Sequence, residues 1–265
     1  MFSEIGGRTM KKDQLIRRRD RILEMLVSQE EVRVSQLLTE LQISDETLRK
    51  DLIEMEHQGM VARRHGRVSL AEKFNDDSMS VRELQNQTVK KRIAKEVLRH
   101  IPEGHDEVVG LDVGSTVYGV AKLLVQDRSR TIVTNSLDIV SLYAHEENPN
   151  IYCTGGVLRT VDRGLYGNWT RDNLKGVRMT VAVLGTPGIM EREGIGAISF
   201  DDREMKQLYA RNSQKVIAAF DSTKGIHGAW IDGVPWEDID LVITDKGISD
   251  SDRERIERKT ELILV

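Results

Sequence analysis

The feature that most constrains the fold is a run at residues 34–69, in which two amphipathic segments flank a short turn. Leucines in the segments 34–41 and 45–52 recur at the spacing of three or four residues that one helix face requires. A tail at 60–69 alternates apolar and polar residues around a central glycine, as two short paired strands do. This order predicts a helix-turn-helix followed by a β-hairpin wing. The turn consists of Gln42, Ile43 and Ser44.

Start and stop signals accompany the predicted helices of this head. Residues 14–27 form an amphipathic first helix. The second helix begins after Val34 or Ser35, with Ser35 as its N-cap. Ser44 caps the third helix, and Gly59 ends it. The predicted core residues are Leu37, Leu38, Leu41, Ile43, Leu48, Leu52 and Met55.

Basic residues bracket the head although the whole chain carries a net charge of −4. Residues 1–23 hold seven basic against three acidic side chains, whereas residues 24–62 hold three against nine. Residues 63–70 add three arginines and no acid. This distribution indicates a local phosphate-binding surface, and the alternative is an ordinary solvated charged face.

The predicted partner of the head is double-stranded operator DNA. The start of the second helix of a helix-turn-helix lies in the major groove, while a wing contacts the backbone or minor groove. A three-helix bundle that contacts other proteins is the alternative, but the caps, the turn and the basic wing together favour DNA. The predicted DNA contacts are Ser44, Thr47, Arg49 and Lys50 on the helix, and Arg63, Arg64 and Arg67 on the wing.

The 265 residues suffice for two domains, each with its own core. We place the DNA-binding domain at 11–70, a polar linker at 71–80 and a second domain at 81–265, which begins with a helix over 81–100. The one cysteine, Cys153, excludes an internal disulfide, and we expect a buried strand thiol. The histidines lack paired spacing and no apolar run could span a bilayer. We therefore expect a cytoplasmic protein without metal, cofactor or membrane partner.

Short apolar runs alternate with helical patterns through the second domain, which predicts an α/β fold with a largely parallel sheet. We expect the three tryptophans, Trp169, Trp230 and Trp236, to be packing or interface residues. The predicted strands are 108–113, 131–134, 151–154, 180–185, 215–220, 241–244 and 261–265. The predicted helices are 116–125, 137–145, 168–175, 202–212 and 250–258.

Polar loops follow four of the predicted strands, at the carboxyl ends where ligands bind in such sheets. Gly114 permits a tight turn before a helix, whose first amides with Ser115 and Thr116 would form an anion seat. Each loop alone is also compatible with ordinary turn chemistry. Together they favour a phosphate-bearing small ligand. The loops are 112–116, 134–136, 154–156 and 221–225.

The head resembles the DeoR family of bacterial repressors over the stretch from Arg21 to Leu70. The most specific match is the string at 44–52, which runs Ser-Asp-Glu-Thr-Leu-Arg-Lys-Asp-Leu. The family usually has two adjacent glycines after the wing histidine, and here Arg67 stands in the second place. That departure leaves the shape of the wing turn open.

The second domain resembles the sensor domain of the same family over about residues 89–246. This resemblance implies a fold like that of ribose-5-phosphate isomerases and glucosamine-phosphate deaminases, and a sensor for a phosphorylated sugar or a similar metabolite. The resemblance therefore covers nearly the whole chain. The matching strings, in order, are LDVGSTV, TIVTNSLDIV, CTGGVLRTVDRGLYG, GIGAISFDDREMKQ, AAFDSTKG and DIDLVITD.

The resemblance also implies the effector-binding residues of this chain. One departure stands out, because the family usually has an acid where this chain has Pro187 between Thr186 and Gly188. Proline cannot act as a general base, so the departure argues against turnover. The residues on which the family's ligand loops and two lysines fall are Asp112, Gly114, Ser115, Thr116, Thr134, Asn135, Ser136, Gly155, Gly156, Lys206 and Lys224.

Three functional hypotheses follow from the sequence. The first is a homo-oligomeric transcriptional regulator, by resemblance a repressor of a carbohydrate-metabolism operon, controlled by a sugar phosphate. The second is an isomerase or deaminase with an accessory head, in which Asp112, Asp221 and Lys224 would serve in acid-base steps. The third is a regulator whose second domain only assembles copies of the chain. The polar loops favour the first over the third, and Pro187 favours the first over the second.

Overall fold

The computed structural model describes residues 15, 18–19, 21–23, 25–26, 29, 31–57, 61–70, 79–104, 106–147 and 149–265. The chain divides into two compact units, one ending at Thr88 and the other beginning at Val89. The predicted linker falls largely on residues 71–78, outside the described part, so the predicted domain boundaries remain predictions. The first unit is the head, and the second takes the name sensor domain from the family domain that its sequence resembles.

The head contains the predicted helix-turn-helix and wing, with one strand that the sequence did not indicate. Every described residue from 15 to 29 is helical. The new strand, β1, pairs antiparallel with β3 to give a sheet of order β1-β3-β2. The bounds are β1 (Glu31–Arg33), α1 (Val34–Leu41), α2 (Asp45–His57), β2 (Val61–Arg64) and β3 (Arg67–Leu70).

The wing turn is settled by two residues with left-handed backbone. His65 has φ 50° and Gly66 has φ 76°, which are the two positive values that a two-residue hairpin turn of the mirror-image type requires. Arg67 lies beyond the turn as the first residue of β3. A second glycine at its position is therefore not needed for this hairpin.

The head core forms where the sequence predicted it. Leu37, Leu48, Leu52 and Met55 are fully buried, whereas Leu38, Leu41 and Ile43 pack against them while partly exposed. Apolar residues of the first helix, including Ile22 and Leu23, complete the cluster. Ile16 and Val27, which are apolar residues of the predicted first helix, lie outside the described residues.

The two predicted caps have different outcomes. Ser44 caps α2 as predicted, because its Oγ accepts a hydrogen bond from the Thr47 amide at 3.3 Å. The predicted cap at Ser35 is wrong, because α1 already begins at Val34 and Ser35 lies in its first turn. The wing replaces the cap, since the Val34 amide donates to the Gly66 carbonyl at 3.0 Å. The predicted stop at Gly59 lies outside the described residues.

A buried ion pair ties α2 to the first helix of the head. Asp51 is 4% exposed, and its Oδ2 accepts from Arg18 Nε at 2.5 Å. Arg19 approaches the other carboxylate oxygen at 3.8 Å. A buried carboxylate that lost these cations would remain desolvated without compensation. The ion pair therefore fixes the orientation of the helix that is predicted to read DNA.

The sensor domain is built on a seven-stranded sheet in which every neighbouring pair is parallel. All seven predicted strands occur in it, which confirms the α/β fold class. The bounds are β4 (Val108–Leu111), β5 (Thr131–Thr134), β6 (Ile151–Cys153), β9 (Met179–Leu184), β11 (Ser213–Ala219), β13 (Leu241–Thr244) and β14 (Glu261–Leu264).

Helices cover both faces of this sheet, because alternate strand residues face opposite sides. Apolar residues of α4, α5 and α6 pack on one face, and those of α7, α8 and α9 on the other. The bounds are α4 (Gln87–Arg99), α5 (Ser115–Leu124), α6 (Leu137–Tyr143), α7 (Asn168–Lys175), α8 (Phe200–Arg211) and α9 (Asp250–Glu257).

The predicted single helix over 81–100 is wrong in one respect. The structure has α3 (Met79–Leu84) followed by α4, and Asn86 between them has φ 53°. A residue in the left-handed region ends a helix, and asparagine tolerates it better than most residues do. Among the described residues, no helix has the length and apolar content that crossing a bilayer demands.

Two antiparallel pairs outside the main sheet were not predicted. One is the hairpin of β7 (Val157–Arg159) and β8 (Gly164–Tyr166), which precedes α7. The other joins β10 (Gly194–Ala197) to β12 (Ile231–Pro235). Both pairs lie beside loops at the carboxyl edge of the sheet, so they help to position the candidate site.

The strand order places a topological switch point between β4 and β9. The chain proceeds outward from β4 through β5 to β6, and then returns to the other side of β4 with β9. Loops at such a point leave the sheet in opposite directions and open a crevice, where ligands of doubly wound proteins bind. The loops after β4 and β9 flank this crevice.

We expect Asp51→Asn to loosen the head, because the neutral amide cannot hold Arg18 as the carboxylate does. The opening free energy of α2, measured by hydrogen–deuterium exchange, should fall by about 1.5–3 kcal/mol. Glu46→Gln is the matched control, since it removes a fully solvated i,i+4 pair with Lys50 and should cost about 0.5 kcal/mol or less. Equal effects of the two substitutions would contradict a special role for Asp51.

Candidate nucleic-acid interface and effector site

The first turn of α2 presents the predicted groove contacts. Thr47 is half-buried, and its hydroxyl lies 2.8 Å from the Ser44 hydroxyl, so each holds the other in place. Arg49 and Lys50 are exposed on the same helix. The helix thus carries two cations and two hydroxyls at its start, which suits contacts to phosphates and base edges.

Three of the predicted DNA contacts are engaged by acids of the head itself. Lys50 Nζ lies 2.7 Å from Glu46, Arg67 lies 2.7 Å from Glu31, and Arg63 lies 2.7 Å from Glu56. Hydrogen bonds from Arg63 lower the pKa of Glu56. Phosphates would have to replace these carboxylates when DNA binds.

Arg49 and Arg64 differ from the other cations of the interface. Both are exposed, and neither makes an ion pair within the part of the head that the structure describes. Arg49 lies on the groove-facing helix and Arg64 on the wing. Among the predicted DNA contacts that the structure describes, the charges of these two arginines are available to DNA without first breaking an ion pair.

The loop after β4 forms one wall of the crevice in the sensor domain. Gly114 has φ 146°, a conformation that favours glycine, and it lies against Gly185 at the end of β9. Ser115 and Thr116 then begin α5. The first amides of a helix have no partner within it, and anions bind at such helix starts. That Ser115 and Thr116 form an anion seat with these amides remains a prediction.

A buried cluster of charges lies directly below this seat. Lys206 of α8 donates to Asp112 Oδ2 and lies 3.2 Å from Asp202 Oδ1, and each of the three residues is at most 3% exposed. Burial works against the charged ammonium, but the attraction of Asp112 and Asp202 outweighs it and raises the pKa of Lys206. Lys206 therefore stays protonated and links β4 to α8.

One carboxylate oxygen of the cluster accepts no hydrogen bond from the described residues. Asp112 Oδ2 accepts from Lys206 and from the Gly185 amide at 3.2 Å, whereas its buried Oδ1 has no hydrogen-bond partner in the described part of the chain. An unpartnered buried carboxylate oxygen is costly, and a donor that reached it would be bound strongly. A ligand hydroxyl has the required chemistry.

Two lysines meet at the loop after β11. Asp221 is 2% exposed, and Lys90 Nζ of α4 lies 3.8 Å from its Oδ2. Burial alone would raise the pKa of Asp221, but Lys90 and Lys224 together hold it below its ordinary value. Two cations thus act on one carboxylate at this loop.

Lys90 was missed by the sequence analysis. A signal was nevertheless available, because Lys90 stands three, four and seven residues before Ile93, Ala94 and Val97 on the buried face of α4. A lysine at such a position is buried only with a partner. Lys224, which was assigned by resemblance, follows Asp221 by three residues, and both lysines lower the pKa of that carboxyl group.

The predicted ligand-binding side chains of the loop after β5 form hydrogen bonds within the domain. Thr134 Oγ1 donates to the Leu111 carbonyl at 2.6 Å, and Ser136 Oγ caps α6 at 3.4 Å. Asn135 donates to the Leu165 carbonyl at 3.2 Å and is bonded to Tyr209. All three predicted residues are fully buried, so these side chains support the neighbouring loops. Their direct contact with an effector remains a prediction.

The loop after β6 owes its shape to two glycines. Gly155 has φ 68° and Gly156 has φ 120°. A Cβ on Gly156 would approach the Tyr166 carbonyl oxygen to 2.5 Å and would also collide with Thr170. Gly156 is therefore required for close packing against α7, whether or not its backbone also contacts a ligand.

Arg159 is a second functional candidate that the sequence analysis missed. Its guanidinium lies over the Tyr166 ring at 3.9 Å and is paired with Asp162 at 3.0 Å. It also donates to Ser199, whose hydroxyl caps α8 beside Asp202. The hairpin thus places a cation next to the carboxylate cluster. An arginine three residues before an aspartate was the only local signal.

The loop after β9 carries Pro187 at the position where the family that the sequence resembles usually has an acid. Thr186 Oγ1 accepts from the amides of Gly188 at 3.2 Å and Gly196 at 3.0 Å, so the threonine supports the loop. Pro187 between them offers neither a carboxylate nor an amide hydrogen. This wall of the crevice therefore has no general base at residues 185–188.

The cysteine and two of the tryptophans are more exposed than packing residues of a core. Cys153 is exposed, because it lies on the edge strand β6, so the prediction of a buried thiol is wrong. Trp236 is a core residue with no exposed surface, as a packing role requires. Trp169 and Trp230 are 77% and 69% exposed, so packing within this chain does not explain them.

Comparison with known proteins agrees with both parts of this description. Residues 18–74 match the DeoR-like helix-turn-helix domain, and residues 85–246 match the DeoR C terminal sensor domain. The HTH-type transcriptional regulator GlpR of Haloferax volcanii is 30% identical over 91% of this chain and 93% of its own length. The Glycerol-3-phosphate regulon repressor of Escherichia coli is 28% identical over 86% and 90%.

A further relative and one solved structure extend the comparison. The HTH-type transcriptional repressor GlcR of Bacillus subtilis is 29% identical over 85% of this chain and 86% of its own. A D-ribose-5-phosphate isomerase in complex with phospho-erythronic acid matches 52% of this chain and 53% of its own, with 21% identity and a TM-score of 0.38. A similarity at that score carries no argument about function.

We expect Gly156→Ala to destabilise the sensor domain, because the added methyl collides with Thr170 and the backbone is left-handed. The free energy of unfolding from urea denaturation should fall by about 1–3 kcal/mol. Gly176→Ala is the control, since its φ is −93° and a Cβ there meets nothing within 4 Å. A loss of stability confined to Gly176→Ala would contradict the role given to Gly156.

Proposed function

We propose that this chain, which belongs to the DeoR family of transcriptional regulators, is a repressor of a carbohydrate-metabolism operon that a phosphorylated sugar or related metabolite controls. The head would bind double-stranded operator DNA as one part of a homo-oligomer, and the sensor domain would bind the metabolite. Its cytoplasmic location remains part of the same proposal.

The observation that carries the effector proposal is the grouping of unlike polar groups at the switch point. The end of α5 offers free amides and hydroxyls, and Lys90 and Lys224 supply positive charge around Asp221. Asp112 Oδ1 supplies an unpartnered acceptor on the same loop. A phosphate suits the first set and a sugar hydroxyl suits the second. A sugar phosphate is a small molecule that carries both groups.

The names of the relatives support the same class of effector. One relative is named for the regulon of glycerol 3-phosphate, which combines a phosphate with hydroxyl groups. Its sequence aligns with 86% of this chain, including both domains. The identity of the metabolite for this chain is left to experiment, since Pro187 alters one wall of the crevice.

The effector would act by changing the balance between two arrangements of the protein. A ligand shifts such an equilibrium only by its difference in affinity for the two states. By linkage, DNA must then weaken the binding of the effector as much as the effector weakens the binding of DNA. Release from DNA by the metabolite is the sign of regulation that we propose.

An enzymatic role for the sensor domain is the weaker alternative. Asp112 is held by Lys206, and Pro187 leaves its loop without a carboxylate. The curated relatives with extensive coverage are named as transcriptional regulators. The enzymatic alternative would be supported if the purified chain isomerised ribose 5-phosphate and Lys224→Ala abolished this activity.

We expect two arginines of the head to contribute differently to DNA binding. Arg49→Ala should cost about 1–3 kcal/mol on the operator and relax the choice of sequence, if the side chain reads a base. Arg64→Ala should weaken all sequences alike and reduce the slope of log K against log salt by about one. Fluorescence anisotropy with operator and scrambled DNA over a salt series measures both.

The matched control for this pair is Arg178→Ala, an arginine of the sensor domain outside the head. Its affinity and salt dependence should equal those of the unaltered chain. An exchange of the two patterns between Arg49 and Arg64 would reverse their assigned roles. If the unaltered chain showed no sequence-selective binding to the DNA upstream of its gene at low salt, the repressor proposal would fail.

We expect one member of a panel of sugar phosphates to stabilise the protein against heat. A ligand at 100 times its Kd adds about 2.7 kcal/mol to the free energy of unfolding. Ser115→Ala and Lys224→Ala should remove most of this stabilisation, because they delete a hydroxyl and a charge from the anion seat. Lys175→Ala, at an exposed lysine on α7, should retain it. A broad panel without any hit would favour a domain that serves assembly only.

A further inference from the structure

Five exposed apolar side chains lie together at the β6 edge of the sensor-domain sheet. Tyr152, Val157 and Trp169 are 65%, 75% and 77% exposed. Leu158 and Val161 are the remaining members of this β6 patch, and both are also exposed. Single exposed apolar residues are common on protein surfaces, but a cluster of this kind marks an interaction site.

Hydrogen bonds and strand pairing place the segments that carry the patch next to one another. Tyr152 lies on β6, which ends the strand order and pairs only with β5 among the described strands. Thr170 and Asn173 of α7 donate to the carbonyls of Gly155 and Thr154 at 2.6 and 2.9 Å. These bonds fix α7, and hence Trp169, beside the loop that leads from β6 into the hairpin.

The size of the patch suits the apolar centre of the surface that one partner contributes to a protein interface. A large aromatic side chain contributes roughly 150–250 Å² when fully buried, so the five partly exposed side chains together offer roughly 500 Å². Each partner in a standard interface contributes about 800 Å². An apolar centre of that size with a polar rim matches the usual composition of such a surface.

The charges around the patch favour a second copy of the chain over nucleic acid. The charged side chains of α7 near Trp169 are the half-buried Arg171 and the exposed Asp172 and Lys175, and Lys175 is paired with Asp172 at 2.8 Å. A rim with both signs is self-complementary, since a twofold axis brings each sign of one copy to the opposite sign of the other. A nucleic acid would require one sign.

We propose that the β6 patch is the surface through which two copies of this chain pair about a twofold axis. The unpaired edge of β6, the apolar cluster and the mixed rim all become covered in such a pair. The inference rests on the proposed function in one respect, because two joined copies place two heads on paired half-sites of DNA. It adds the location of the pairing surface, which the proposed function leaves open.

Charged substitutions in the patch test this assignment with closely matched controls. Val157→Asp and Trp169→Arg alter the patch, whereas Ile226→Asp and Trp230→Arg alter side chains of 75% and 69% exposure elsewhere in the same domain. Analytical ultracentrifugation over a concentration series measures the dimer Kd of each variant. Each patch substitution should raise the Kd at least about tenfold, as loss of a central contact does. The two controls should stay within about threefold of the unaltered chain.

Other outcomes would overturn the assignment. A monomeric unaltered chain at micromolar concentration would do so, as would a dimer that survives the double substitution of Val157 and Trp169. Dissociation by the two controls alone would move the interface to the surface around Ile226 and Trp230. Urea denaturation midpoints that equal those of the unaltered chain show that a dissociated variant is folded. A stable dimer that binds no DNA would contradict the proposed function and leave this interface standing.

Discussion

The buried bridge from Lys206 to Asp112 and Asp202 is the interaction on which the sensor domain depends most. It joins the end of β4 to the first turns of α8, and so it holds the two sides of the switch point together. Removing one member would leave a buried charge without compensation, at a cost of about 3–5 kcal/mol. Since Lys206 is fully engaged, it positions Asp112, and the effector would be met by Asp112 Oδ1 and by groups nearer the surface.

This bridge divides the crevice into two chemically different parts. Toward β11, Lys90 and Lys224 place positive charge near Asp221. Toward the hairpin, carboxylates predominate, and Arg159 is already balanced by Asp162. In the proposed function, a ligand with an anionic end and a hydroxylated end would bind in one direction, which the charges alone would set.

Much of this architecture could be predicted because it is recorded in local patterns. The seven strands of the sheet are short apolar runs between turn residues, and Ser44 with Leu48 and Leu52 marks a capped amphipathic helix. The rest depends on contacts between distant residues. The cap at Ser35 was wrong because Gly66 reaches Val34 from the wing, and the hydrogen bond that Thr134 donates to Leu111 was not foreseen. Neither partner is close in sequence.

The ion pairs of the head explain why pairing of copies matters for the output. Lys50, Arg63 and Arg67 each begin with an acidic partner, so each phosphate contact replaces an existing attraction and gains only the difference. Surface pairs contribute about 0–1 kcal/mol, so this exchange is possible but weakens each contact. One head therefore gains little from its charges, and in the proposed homo-oligomer two joined heads would bind the second half-site as an intramolecular event. A metabolite that altered how the two copies are joined would then change DNA binding without contacting the DNA-binding helix.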